Sequence, residues 1–264
     1  IATIQDIKKR EVANWLNFAL LAIGMSYRLF YSIINDNYQF LLLGIVGTAV
    51  LIVSAYALYY GRAFAGGDAK LLMGYGPILP YANLQSAIYA PLLFIFALFL
   101  IGAIYSLIYS AFIAKNNKQI FKKEFSRSIK KYKTPALIII SISLAALIVF
   151  QSIINFVISL LIIFLIFLFI YLKSIDKCMI KLISPKGLAE GDWLEKEIII
   201  GKHKIKKTVH GLSIKDIQLL RKHNKKALIK EGIPFVPAFL ISLITVSAFL
   251  ILQYSLEDLI LQFF

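Results

Sequence analysis

One cysteine, Cys178, in 264 residues leaves no partner for a disulfide within the chain and no four-cysteine metal site. Histidine is nearly as scarce. His203, His210 and His223 fall in one stretch without metal-ligand spacing, so solvated surface positions account for them. No cofactor box is visible either, since stripes such as Phe164, Phe167 and Phe169 fit lipid contact and packing. Neither a metal nor a cofactor is expected. Acids are outnumbered, 14 Asp and Glu against 29 Lys and Arg, which leaves a net charge of +15. Such a balance invites nucleic acid as a partner, but nearly all of the charge flanks apolar runs. Attraction to anionic lipid headgroups explains it more economically, and no nucleic-acid partner is expected.

What the chain has in abundance is apolar length. Hydrophobic residues make up 59% and the mean hydropathy is +0.78, too apolar for one soluble domain. Several runs reach the roughly 20 residues that cross a bilayer. The expected spans are residues 14–34, 38–60, 69–83, 84–113, 135–150, 155–173 and 234–256. The run from Pro135 to Lys173 is about twice the length of one span, so a break is placed between Gln151 and Asn155.

Basic residues then set the orientation, because Lys and Arg stay on the cytoplasmic side. Three lie at Lys8 to Arg10, eight between Lys115 and Lys133, and fifteen between Lys173 and Lys230. The turns at 35–37, 81–84 and 151–155 carry none. Segment 115–133 reads as an interfacial amphipathic helix or a loop. Arg62 fits an inner loop and Lys70 can snorkel to that face. Arg28, toward the outer end of its span, is the poor fit, and it is expected to snorkel or to pair with Asp36.

Two strings carry an ionisable group at a boundary between apolar and polar sequence, where intramembrane carboxylates are functional candidates. The first is Asp6-Ile-Lys-Lys-Arg10-Glu-Val12-Ala-Asn14-Trp15. The second is Ala65-Gly66-Gly67-Asp68-Ala-Lys70-Leu71-Leu72. Two spans separate them, so the chain goes out and returns, and both carboxylates arrive on the same side. About a dozen residues separate Asp68 from Pro77 and Pro80. As helix they would reach roughly 18 Å of a roughly 30 Å core, which puts Asp68 inside the hydrocarbon boundary.

Together the strings resemble those of the prepilin and preflagellin peptidases, membrane aspartyl proteases with a G-x-G-D motif. The matches are Asp6, Arg10, Val12, Asn14 and Trp15 in the first string and Gly67, Asp68, Lys70, Leu71 and Leu72 in the second. The resemblance implies that Asp6 and Asp68 are the catalytic pair, supported by Gly66, Gly67, Lys70, Arg10 and Asn14. It implies an endopeptidase that cuts the leader from pilin-like or archaellin precursors at the cytoplasmic face, with membrane lipids around it. Ala65 stands where the first motif glycine is usual. If that position needs a positive φ, alanine costs stability; if it needs only a small residue, nothing is lost. In the family the first aspartate lies at the end of the first transmembrane helix, so Ile1 to Gln5 are read as the stub of a helix largely missing from this sequence. The bacterial branch's cysteine motif and methyltransferase activity are not expected here. The archaeal branch is favoured, and the string Lys230 to Leu240 also resembles it.

Residues 174–233 form the sizeable polar segment. Glu197 to Ile200 and Lys204 to Val209 predict a hairpin across Gly201-Lys-His. Ser213 and Asp216 open a helix to about Lys226 in a capping-box pattern, and Ala227 to Lys230 add a strand. The acids Glu190, Asp192, Glu195 and Glu197 are candidates for holding a basic leader, against the alternative of a solvated cap on the last span.

The expected fold is an all-α polytopic membrane protein with a small cytoplasmic α+β segment. Its divisions are a catalytic core at 1–113, a basic loop with two further spans at 114–173, the α+β segment at 174–233, and a last span with an outer tail at 234–264. Two other readings compete. A signal-peptide-peptidase or presenilin-like protease also uses G-x-G-D, and Pro135-Ala136-Leu137 resembles its Pro-Ala-Leu string. There, however, the aspartates sit on consecutive spans. A transporter using the aspartates as an ion site is the second, and no internal repeat supports it.

Overall fold

The computed structural model describes residues 1–9, 12–61, 63–200, 203–208 and 211–263, without the side chains of Lys9, Phe150 and 256–263. The chain forms two compact units, one of residues 1–108 with 233–264 and one of 109–232. It is a polytopic α-helical membrane protein. Among the described residues, six helices are long and apolar enough to cross a bilayer.

In the first unit a short helix, α1 (Ala2–Lys9), precedes a hairpin of two spans, α2 (Asn14–Ile34) and α3 (Tyr38–Tyr60). The hairpin turns at Asp36, which takes a left-handed φ of 48° that short polar side chains tolerate. Asn37 then caps α3, its side chain accepting from the Phe40 amide at 3.3 Å. The spans expected at 14–34 and 38–60 match these helices residue for residue.

The span expected at 69–83 is not a continuous helix. It starts as α4 (Gly66–Gly74), nine residues long, and continues as turns to the start of α5 (Leu84–Asn116). Gly74, Gly76, Pro77 and Pro80 explain the break, since glycine weakens a helix and proline cannot donate into one. The broken segment still runs alongside α2. Lys70 reaches Asn14, a Cβ on Gly74 would lie 3.2 Å from the Asn17 carbonyl, and one on Gly24 would lie 2.7 Å from the Pro77 ring. Further on, the Pro77 and Leu79 carbonyls meet Arg28. At Gly24 the approach is too close for any side chain, and at Gly74 a side chain would need its neighbours to shift.

Arg28 is what holds the unwound part. It is 2% exposed, and its guanidinium donates to the carbonyls of Pro77 at 2.7 Å, Leu79 at 2.7 Å and Phe40 at 2.8 Å. Its charge also lies 4.5 Å from the Phe40 ring centroid and 4.9 Å from that of Tyr81. The expected snorkelling or pairing with Asp36 is therefore corrected. A broken helix frees backbone carbonyls inside an apolar unit, and one fork of N–H donors satisfies them.

The last helix of the unit, α9 (Val236–Phe263), packs with the first. Phe239 of α9 stacks on Tyr75 at 6.0 Å between centroids, and Tyr75 meets Phe94 of α5 edge-on at 5.5 Å. Leu51, Leu72, Phe94 and Phe239 are fully buried there. Between spans in a bilayer such burial stabilises through close packing and not through release from water.

In the second unit, α6 (Lys118–Phe150) and α7 (Ile153–Cys178) form a helical hairpin. The break expected at 151–155 is present. Gln151 ends α6 in a left-handed conformation with φ 39°, and the Ser152 side chain caps α7. Of the two readings of segment 115–133 the structure has the helix, which from Lys118 is continuous with residues 135–150. Past Pro135 the pair is joined by the Ser159 hydroxyl, which donates to the Ser143 carbonyl at 3.2 Å. Before it, the rings of Phe121, Phe125 and Tyr132 contact those of Tyr171, Phe167 and Phe169.

The polar segment holds a sheet in the order β1 (Ile180–Ile183), β5 (Ala227–Lys230), β2 (Trp193–Leu194), all antiparallel, and a hairpin of β3 (Ile198–Ile200) and β4 (His203–Ile205). The helix α8 (Ile214–Lys222) begins with the expected capping box between Ser213 and Asp216. Leu194, Ile200, Ile205, Leu212, Leu220 and Ile229 form its apolar centre. The hairpin, the helix and the strand at Ala227 to Lys230 were all legible; β1 and β2 were not.

Candidate active site

Asp6 and Asp68, 62 positions apart, come together in the first unit. Asp6 lies on α1 and is 6% exposed, and its Oδ2 accepts from the Val236 amide at 2.9 Å. Val236 is the first residue of α9, whose opening amides lack partners within their own helix. Pro237 supplies no amide, and Ala238 donates to the Phe235 carbonyl at 3.0 Å. Asp6 therefore takes the donor that the start of α9 leaves over, at the positive end of that helix.

Asp68 is half-buried in the first turn of α4, with Ala65 as the N-cap residue. Its carboxylate lies near the Ala65 backbone at the start of α4, and the charge of Asp6 acts on it. Ala65 has φ −72° and ψ 162°, an ordinary extended backbone, and neither Gly66 nor Gly67 has a positive φ. Alanine in place of the first motif glycine thus carries no backbone strain. Nothing in the fold itself requires glycine at Gly67, since a Cβ there would meet nothing within 4 Å and the backbone faces open space.

A second link joins the two strings. Lys70 Nζ donates to Asn14 Oδ1 at 2.9 Å, fixing the start of α2 against α4. Gln5 adds a contact in which its side-chain oxygen accepts from the Ala13 amide at 3.4 Å. Arg10 lies outside the described residues, as do Arg62 and His210.

The four docking candidates belong to the second unit, and most carry partners of their own. Glu195 pairs with Lys177 at 2.7 Å and Lys207 at 3.6 Å, and Glu197 pairs with Lys204 at 2.6 Å. Asp192 accepts from the Ala189 amide at 2.9 Å and shapes its own turn. Burial pushes the Asp192 carboxyl above its usual range, whereas the hydrogen bond from Lys177 holds Glu195 below. Glu190 is exposed and has no ion pair among the described residues. No cluster of His, Cys, Asp and Glu with the makings of a metal site occurs among the described residues.

Sequence reasoning missed Val236 as the partner of Asp6, though it had noted the string around it. It flagged Arg28 only as a misfit. Asn17, one turn past Asn14, is also buried, and neither polar atom of its side chain has a partner among the described residues.

The comparisons match the part of the chain that carries both strings. Residues 1–107 fit the model of the type IV leader peptidase family. That segment is similar to this family. The chain is 31% identical over 91 residues to a preflagellin peptidase of Methanococcus voltae, covering 32% of this chain and 39% of that protein. It is 30% identical over 92 residues to one of Methanocaldococcus jannaschii, covering 35% and 38%. The chain thus spans about two fifths of the length of the curated relatives it matches. No solved structure matches. The contact between Asp6 and α9 involves a helix outside the segment that the family model covers.

Proposed function

We propose that this protein is a membrane aspartyl endopeptidase that removes the leader peptide of pilin-like or archaellin precursors at the cytoplasmic face of the membrane. One observation carries the reading: two carboxylates from separate elements, each the aspartate of a family string, lie within reach of each other's charge, with Asp6 held by the Val236 amide and the two strings joined through Lys70 and Asn14. Two carboxylates that close share one proton, because both cannot ionise cheaply in a poorly solvated site. The ionised member takes a proton from water as the water oxygen attacks the scissile carbonyl carbon. The protonated member donates to the carbonyl oxygen. The tetrahedral intermediate then collapses, the C–N bond breaks, and the leaving nitrogen takes up a proton. No covalent enzyme intermediate forms.

Open space in front of Gly67 supports approach of an extended substrate backbone to the first turn of α4. A precursor with a basic leader in the cytoplasm and an apolar helix in the bilayer presents its cleavage point at the inner boundary, where the charge pattern puts Asp6 and Asp68. For docking the basic leader we propose Glu190, Asp192 and Glu195, with Glu190 the most available and Glu195 exchanging one lysine for another.

Membranes containing the protein, incubated with a panel of pilin-type precursors, should yield a new precursor N-terminus at the leader boundary by mass spectrometry. Absence of any cleavage by the wild-type protein, with the protein folded and inserted, would overturn the reading.

A further inference from the structure

The second unit carries two adjoining grooves between α6 and α7 that the peptidase reading does not use. One, of about 730 Å³, is polar and lies between the basic half of α6 and the end of α7, with Arg127, Lys130, Lys131, Lys173 and Lys177 along it. The other, of about 310 Å³, is lined by apolar side chains including Pro135, Ile139, Ile162, Leu165 and Ile166. Tyr132 lines both. They form one path from a cationic end to an apolar one.

The charges of the polar groove do not cancel. Its acids are engaged: Glu124 pairs with Arg127 at 3.4 Å, and Asp176 pairs with Lys230. Lys177 is held by Glu195. Lys130, Lys131 and Lys173 have no carboxylate within ion-pair distance among the described residues. Aromatic rings fix two of these ammonium groups near the junction, Lys131 at 5.4 Å from the Tyr132 ring and Lys173 at 5.8 Å from that of Phe169. On both helices the change from charged to apolar sequence falls beside the contact between Tyr132 and Phe169, whose centroids are 5.1 Å apart. This is the order in which a phospholipid changes from headgroup to chain.

We propose that these grooves form a binding site for one anionic phospholipid, with its phosphate among Lys130, Lys131 and Lys173 and an acyl chain along Ile139 and Ile166. A basic leader peptide is repelled by the same lysines. A second copy of this chain would bring an identical cationic cluster to the contact, so like charges oppose it. An anionic lipid instead satisfies both ends, and the exposed apolar faces of α6 and α7 leave it free to enter sideways.

The test is native mass spectrometry of the full chain in detergent with added dioleoyl-phosphatidylglycerol or dioleoyl-phosphatidylcholine. The anionic lipid should be retained about tenfold more tightly, as a few lysines at a headgroup allow. The triple variant K130Q/K131Q/K173Q, all at exposed positions, should lose that preference with its melting temperature in lipid-free detergent unchanged. Ile139→Trp should weaken retention of both lipids by filling the apolar groove. Equal retention of the two lipids by the wild type, or a preference that survives in the triple variant, would overturn the proposal. So would full competition by glycerol 3-phosphate, which has no chains, or a dimer that disappears with Ile139→Trp while lipid retention stays. None of these readouts requires peptidase activity, so failure here and failure of the peptidase reading are separable.

Discussion

The two units differ in what holds their carboxylates. In the first, Asp6 accepts from the Val236 amide, and Asp68 has no lysine or arginine within ion-pair distance among the described residues. In the second, Asp192 and Asp216 shape their turns by accepting from amides, but Glu195, Glu197 and Asp176 accept from lysine side chains in ion pairs. Lysine cancels a charge, whereas an amide dipole orients the carboxylate and leaves its proton free to come and go. Arg28 follows the pattern of the first unit in reverse, since backbone carbonyls hold it. Buried charge in that unit is therefore tied to the main chain, and what it holds is geometry.

The largest effect that can break this comparison is on chemistry. Asp6→Asn keeps an oxygen that accepts from the Val236 amide, and Asp68→Asn keeps the shape of a half-buried side chain, so both variants should fold and insert. Each should lose at least the roughly 10²- to 10⁴-fold that general acid–base catalysis supplies. Quantified precursor cleavage checks this, and substantial turnover by either folded variant would remove it from the catalytic pair.

Arg28 comes next. Arg28→Leu leaves the Pro77 and Leu79 carbonyls of the broken segment without their donor in an apolar surrounding, and each unpaired group costs about 1–3 kcal/mol, while the Phe40 carbonyl keeps its place in the α3 ladder. A loss of about 3 kcal/mol or more is expected in thermal unfolding in detergent. Arg28→Lys should recover little, because an ammonium cannot span three carbonyls as the planar fork does. Full recovery by lysine would mean that charge, and not the fork, holds the broken segment.

Much of this was legible in the sequence, and the boundary is instructive. The spans α2 and α3, the break at Gln151 and the capping box at Ser213 are local, so hydropathy and turn chemistry report them. The strings around Asp6 and Asp68 were legible as a pair because topology returns them to one side. The broken segment after Asp68 was not, since hydropathy cannot separate a helix from apolar turns when Arg28 supplies donors from another helix. The bond from Val236 to Asp6 links residues 230 positions apart, and no period in the chain encodes it.

That bond gives a sharper, smaller test. Asp6→Ala removes the acceptor that Asp6→Asn keeps, leaving the buried Val236 amide unpaired at a cost of about 1–3 kcal/mol. The alanine variant should unfold at a lower temperature than the asparagine variant, although neither cleaves. Equal stability of the two would mean that α9 does not depend on the Asp6 carboxylate oxygen.

The smallest effect belongs to the second unit. Reversing Glu190, Asp192 and Glu195 together should raise the apparent KM for a leader rich in Lys and Arg several-fold and change kcat less, because a docking contact that takes no part in the chemistry serves binding alone. Added salt should reproduce part of that rise, since Glu190 is exposed and the Debye length near 0.1 M salt is about 10 Å. Glu195 already has Lys177 and Lys207 as partners, so Glu190→Lys alone should account for most of the change. Unchanged kinetics in the triple variant would make the segment a solvated cap. A loss of kcat in a folded protein would instead carry the acids of the second unit into the chemistry, and the contrast between the two units would no longer hold.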